Sequence, residues 1–138
     1  MIFSENRADL RRMYATAWQK YRAGNVLSPL EDQIARVVAE HPEFHAAVKG
    51  DIERDFGVES GLTNPFLHMG LHLGIREQVA TDRPVGIAAV FDTLATRCGD
   101  PLAAEHLMID CLAETLWDAQ RGGQAPDESA YLERLRRL

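Results

Sequence analysis

Apolar residues recur every three or four positions through most of the chain, and no segment alternates apolar and polar residues over the length of a strand. Spacing of three and four places side chains on one face of an α-helix, whereas strict alternation is typical of a β-strand. The pattern therefore predicts an all-α protein. The predicted helices cover residues 5–23, 29–40, 65–81, 84–98, 101–121 and 126–137, with a short helical segment that begins at Pro42.

Prolines and glycines mark where these helices begin and end. Proline is favoured in the first turn of a helix, because its missing N–H would have no partner there. Ser28 precedes Pro29 and stands three residues before Glu31, which is the pattern of a capping box. A capping residue followed by proline recurs at Asn64-Pro65, at Asp100-Pro101 and, more loosely, at Asp82 with Pro84. The glycines predicted to end helices are Gly24, Gly99 and Gly122.

The chain length of 138 residues suits one domain. Residues 49–63, with three glycines among acidic residues, form the one substantial predicted loop, and no internal repeat is visible. We therefore expect residues 1–138 to fold as a single-domain bundle of about six helices, with an up-and-down core and a terminal capping helix.

Composition excludes several partners. The chain has 15 Lys and Arg residues against 21 Asp and Glu residues, a net charge of −6, so it lacks the broad cationic surface that nucleic acids require. No apolar run approaches the roughly 20 residues of a membrane span, and the N-terminal segment does not have the order of a signal peptide. Cys98 and Cys111 are too few for a disulfide framework. We expect a cytoplasmic protein without nucleic-acid or membrane partners.

The five histidines show an unusual spacing. His41 and His45 are four residues apart, as are His68 and His72, and His106 stands four residues before Asp110. Residues four apart on a helix lie one above the other on the same face. His68 and His72 fall within the apolar stripe of their predicted helix, so we expect both rings to point inward.

A matching row follows on the helix predicted at 101–121, where His106, Asp110 and Glu114 lie beside Ile109 and Trp117. If neighbouring helices alternate in direction, this helix runs parallel to the helix predicted at 65–81. The alignment predicts three neighbouring pairs: His68 with His106, His72 with Asp110, and Arg76 with Glu114.

The functional hypothesis is a metal site between these two helices. Its predicted ligands are His68, His72, His106 and Asp110, with Arg76 in an outer ion pair that orients the site. Such nitrogen and oxygen donors suit Zn, Fe, Mn or Ni, and a coordination position left to water would support redox or hydrolytic chemistry. Weaker candidates for additional ligands are His41, His45 and Glu114.

The alternative is a buried polar network without an ion, in which the same residues satisfy one another's hydrogen bonds. The protein would then be a non-catalytic interaction module, for which a homodimer is one arrangement. The sequence leaves both alternatives open.

Seven segments resemble an uncharacterised bacterial family, the domain of unknown function 1841. They are residues 18–24 (WQKYRAG), 41–45 (HPEFH), 64–68 (NPFLH), 71–78 (LHLGIREQ), 82–84 (DRP), 112–120 (LAETLWDAQ) and 131–135 (YLERL). The resemblance runs through nearly the whole chain and implies no particular activity. A looser likeness of pattern is to hemerythrin-type metal-binding bundles, which place HxxxE, HxxxH and HxxxxD on successive helices, where this chain has HxxxH, HxxxH and HxxxD.

Overall fold

The computed structural model describes residues 2–50 and 64–138, and these residues form helices and no β-strand. The fold is therefore an all-α helical bundle, as predicted. The helices are α1 (Ile2–Ala23), α2 (Pro29–Ala39), a 3₁₀ helix (Pro42–Phe44), α3 (His45–Lys49), α4 (Pro65–Thr81), α5 (Ile87–Cys98), α6 (Pro101–Gly122) and α7 (Glu128–Arg136). Most of the loop predicted at 49–63 lies outside the described residues. None of the described helices is both long and apolar enough to cross a membrane.

The predicted helix starts at Ser28, Asn64 and Asp100 are confirmed. Ser28 and Glu31 form a reciprocal capping box, in which the Glu31 N–H donates to Ser28 Oγ at 3.1 Å and the Ser28 N–H donates to Glu31 Oε1 at 2.9 Å. The Asn64 side chain accepts from the Phe66 N–H at 3.0 Å. Asp100 accepts from the Leu102 N–H at 3.1 Å. Each side chain satisfies a main-chain donor that the first helical turn leaves without a partner.

Six helix ends differ from the predicted ends by one to three residues, and the structure gives a physical reason for two of them. Helix α5 begins at Ile87 and not at Pro84, because the Asp82 carboxylate reaches forward and accepts the N–H groups of Gly86 and Ala88, both at 3.1 Å. Helix α6 ends one residue later than predicted, with Gly123 in the left-handed conformation at φ 64°. A residue with a Cβ is strained at that φ, which is why glycine is common after the last helical turn.

Residues 1–70 form one compact unit, in which α1 packs against α2 and α3. Lys20 Nζ on α1 donates to Glu31 Oε2 on α2 at 2.7 Å. The Tyr14 ring meets the Phe66 ring edge-on at 5.5 Å, and burial raises the pKa of Tyr14 to about 12. Among its described residues, the buried apolar ones are Ala8, Tyr14, Ala17, Trp18, Ile34, Ala35, Val37, Val38, Val48, Phe66 and Met69.

Residues 71–138 form a second compact unit, in which α5, α6 and α7 pack on one another. The Tyr131 hydroxyl donates to Gln78 Oε1 at 2.7 Å, and burial raises the pKa of Tyr131 above its usual value. The core residues of this unit are Ile75, Ile87, Leu94, Ala104, Met108, Ile109, Cys111, Leu112, Tyr131 and Leu135.

Replacement of Ser28 tests whether the capping box stabilises the first turn of α2. We expect Ser28→Ala to lower the free energy of unfolding by about 1 kcal/mol, because the Glu31 N–H loses its acceptor. Urea unfolding followed by circular dichroism measures the change. Ser28→Thr keeps the hydroxyl and is the matched control; an equal loss in both variants would contradict the capping explanation.

The expectation of one domain over residues 1–138 stays a prediction. Helix α4 contributes residues to both compact units, so neither unit has its complete set of helices without it. We expect a single thermal transition in which the calorimetric and van't Hoff enthalpies agree. Two separate transitions would show that the units unfold independently.

Candidate metal centre

His41 and His68 form one histidine pair, in the unit of residues 1–70. Their ring centroids are 5.1 Å apart and the ring planes meet at 75°. His41 is 1% exposed, and its Nδ1 donates to the carbonyl oxygen of Val37 at 2.8 Å. Pro42 favours an extended conformation at His41, which stands between α2 and the 3₁₀ helix. Phe44 covers the pair, stacked on His41 and edge-on to His68, with both centroid distances 5.5 Å.

His72 and His106 form a second pair, in the unit of residues 71–138. Their ring centroids are 4.7 Å apart and the planes meet at 77°. His72 is completely buried, at 0% exposed. Its Nδ1 is 2.7 Å from Glu105 Oε1, on the residue that precedes His106 in α6. One turn of α6 therefore supplies both a ring and a carboxylate to His72.

The Glu105 carboxylate is itself held by Arg76. Arg76 Nε lies 3.2 Å from Oε1 and 3.1 Å from Oε2, and Arg76 Nη2 donates to Oε1 at 3.1 Å. Burial by itself would raise the pKa of Glu105, but the hydrogen bonds from His72 and Arg76 and the Arg76 charge lower it below the usual value. The carboxylate is therefore ionised at neutral pH and only accepts hydrogen bonds.

These bonds determine which nitrogen carries the proton in each buried histidine. A carbonyl oxygen and an ionised carboxylate can only accept, so Nδ1 must be the donor in both His41 and His72. When the ring is neutral, Nε2 is then the nitrogen that carries the lone pair. Histidines that bind metals usually have this arrangement, in which the nitrogen away from the metal donates to a carboxylate or a main-chain carbonyl.

Helix α4 links the two pairs. His68 and His72 are four residues apart on this continuous helix and so lie on the same face. Each of them contacts one further histidine in its own unit, His41 or His106. The four histidines are the group of ligand-bearing side chains, among those the structure describes, that could hold a metal ion.

The predicted carboxylates are placed differently from the expectation. Asp110 and Glu114 are both exposed, and Glu114 lies 3.8 Å from Arg134. Glu105 is the α6 carboxylate that both His72 and Arg76 bind. The buried side of α6 passes through Glu105, Met108, Leu112 and Thr115, which turns the predicted row of Asp110 and Glu114 toward solvent. The expected pairs His72 with Asp110 and Arg76 with Glu114 are therefore corrected to contacts with Glu105.

The other predicted residues separate into two groups. His41, a weaker candidate, contacts His68. His45 does not join that pair: its Nε2 donates to the Val38 carbonyl oxygen at 2.8 Å, and its ring packs 4.6 Å from the Trp18 ring. His45 is thus a packing residue at the junction of the helices.

Sequence reasoning missed Glu105. A signal was present, since Glu105 is three residues before Met108 and seven before Leu112 and so interrupts an apolar stripe at helical spacing. A carboxylate in such a stripe needs a buried partner.

Comparison with known proteins identifies the family. The family model of a domain of unknown function, DUF1841, matches residues 6–137. The chain belongs to the DUF1841 family. No curated protein and no solved structure matches this DUF1841 protein. The matched range includes all four residues of the two histidine pairs. The similarity to hemerythrin-type bundles is limited to the order of the sequence motifs.

The Glu105 contacts predict that two glutamates of α6, Glu105 and Glu114, contribute differently to the free energy of unfolding. We expect Glu105→Ala to lower the free energy of unfolding by about 3 kcal/mol, because it leaves the buried His72 and the Arg76 guanidinium without their shared acceptor. Glu114→Ala, at an exposed position, is the control and is expected to change it by less than about 0.5 kcal/mol. Chemical denaturation of metal-free protein measures both. Equal effects of the two substitutions would contradict the assignment of Glu105 as the buried partner.

Proposed function

We propose that this DUF1841 protein binds one transition-metal ion through His41, His68, His72 and His106. The observation that carries the proposal is the orientation of the two buried histidines, whose Nδ1 atoms donate to Val37 and Glu105. In that orientation Nε2 is the nitrogen of each neutral ring that can ligate an ion. The helical spacing of His68 and His72 supports the inclusion of both pairs in one ligand set.

The ligand set narrows the choice of metal. Four imidazoles supply nitrogen donors only, whereas the set predicted from sequence included the Asp110 carboxylate. Imidazole suits Zn, Fe and Ni, while Mn prefers oxygen ligands. We therefore retain Zn, Fe and Ni as the proposed ions and give Mn the lowest rank.

Two residues have positioning roles in this proposal. Glu105 orients the His72 ring and strengthens it as a ligand, because an acceptor on Nδ1 raises the basicity of Nε2. Arg76 holds the Glu105 carboxylate through both of its oxygens. Neither side chain needs to touch the ion.

The chemistry depends on how many positions the ion leaves open. An ion that takes only the four imidazoles is structural. An ion that takes more than four ligands keeps a position for water or substrate and supplies Lewis-acid or redox chemistry there. We propose the second case, a redox or hydrolytic centre, in which His41 and His72 are oriented by the hydrogen bonds that they donate to Val37 and Glu105.

Metal content tests the proposal directly. Protein purified without a histidine tag from metal-replete medium should contain about one Zn, Fe or Ni ion per chain by mass spectrometry of the elements. We expect His68→Ala and His106→Ala to lose the ion, because each removes one of the four ligands. Circular dichroism checks that the helical content is retained.

The chain offers two informative comparison variants. His45→Ala removes a histidine whose Nε2 is bonded to Val38, and we expect it to keep the ion. Glu105→Gln should lower metal affinity about 10-fold to 100-fold without removing a ligand. Metal-free wild-type protein would overturn the proposal and favour the alternative, a structural polar network. Variants of His68 and His106 that keep the ion would overturn the proposed ligand set.

The cytoplasmic location, the lack of a nucleic-acid partner and the homodimer stay predictions.

A further inference from the structure

Phe44 completes a cluster of three aromatic rings in the unit of residues 1–70. The centroids of the His41 and His68 rings are 5.1 Å apart, and the centroid of the Phe44 ring lies 5.5 Å from each of them. The three rings therefore form a nearly equilateral triangle. Phe44 has no ligand atom, so it can act on an ion only through the two histidines.

The position of the Phe44 ring follows from the short segment between α2 and α3. Pro42 opens a single 3₁₀ turn, in which the Phe44 N–H donates to the His41 carbonyl oxygen at 2.9 Å. Side chains three residues apart eclipse each other in a 3₁₀ helix. The Phe44 ring therefore stacks on the His41 ring, with 5° between the two planes.

His45, the next residue, fixes this turn to two helices of the same unit. Its Nε2 donates to the Val38 carbonyl oxygen of α2 at 2.8 Å, and its ring lies 4.6 Å from the ring of Trp18 in α1. Trp18 is itself buried. Movement of the turn away from His41 would require the loss of these contacts.

The Phe44 ring separates the histidine pair from solvent on one side. Phe44 is half-buried, whereas the His41 ring on which it stacks belongs to a residue that is 1% exposed. A histidine ring has to turn away from an ion before water or a chelator takes its place. Packing against Phe44 restricts that motion, because close-packed side chains leave no room for it. Apolar groups around a metal site also limit the access of solvent.

We propose that Phe44 controls exchange of the ion by packing against two of its ligands, so that the site releases metal slowly. This inference rests on the proposed function, since it needs His41 and His68 to be ligands. Phe44 is a positioning residue: it limits the rate at which the two rings leave the ion and forms no bond to the ion itself.

Transfer of the bound Zn, Fe or Ni ion to an excess of the chromogenic chelator pyridylazoresorcinol measures the exchange rate. We expect Phe44→Ala to release the ion at least about tenfold faster than wild-type protein, because the space left by the phenyl ring admits water to both ligands. Phe44→Leu keeps most of the apolar volume and should stay within about threefold of wild-type protein. Phe44→Val should lie between them, and it replaces Phe44→Ala in the comparison if circular dichroism shows that the alanine variant loses helical content.

Phe91→Ala is the matched control. Phe91 is also a half-buried phenylalanine, but it packs against the core of the unit of residues 71–138. We expect this variant to release the ion at the wild-type rate.

A second measurement needs no ion. In metal-free protein, diethyl pyrocarbonate should modify His41 and His68 faster in Phe44→Ala than in Phe91→Ala, because the loss of the phenyl ring opens the pair to the reagent. Mass spectrometry of the peptides identifies the modified histidines.

The outcomes distinguish this inference from the proposed function. Wild-type protein that takes up none of the three ions would overturn both. Equal release rates from wild-type protein and the Phe44 variants, equal acceleration by Phe91→Ala, or unchanged modification of His41 and His68 would overturn the inference alone.

Discussion

A carboxylate can be buried in a helical protein only when other groups replace the water it loses, and Glu105 meets this condition through His72 and Arg76. The contact fixes the rotation of α6, because Glu105 can reach both partners only when its side of the helix faces α4. It also makes Nδ1 the donor nitrogen of His72, because an ionised carboxylate can only accept. One electrostatic contact thus sets both the packing of a helix and the chemistry available to a ring.

The positions of the histidines depend both on spacing within one helix and on contacts outside it. His68 and His72 share a face because they are four residues apart on one helix. His41 has a separate origin, since the proline after it ends the regular helix and its Nδ1 bonds back to the Val37 carbonyl. His45 is only four residues from His41, yet its ring packs against Trp18. A spacing of four residues therefore does not place two histidines on the same face when the helix between them is interrupted.

Much of the fold could be read from the sequence, and less of the candidate site. The all-α class and the helix starts at Ser28, Asn64 and Asp100 were predictable because caps act on main-chain groups within three residues. His68, His72 and His106 were predicted and are in the two pairs. Asp110 and Glu114 are exposed, and Glu105 was not predicted, because α6 carries apolar residues on both sides, with Leu116 41% exposed and Trp117 60% exposed, so its buried face was difficult to assign from the sequence.

By itself the sequence determined where helices form, how several of them begin and which histidines share a helical face. These properties depend on hydrogen bonds and side-chain spacing within a few residues. Only the tertiary structure decided that Glu105 is the buried carboxylate, that His41 joins His68, and that Phe44 packs against His68. Those contacts join residues far apart in the chain, and they depend on how each helix turns about its axis to bury apolar area and to satisfy its buried polar groups.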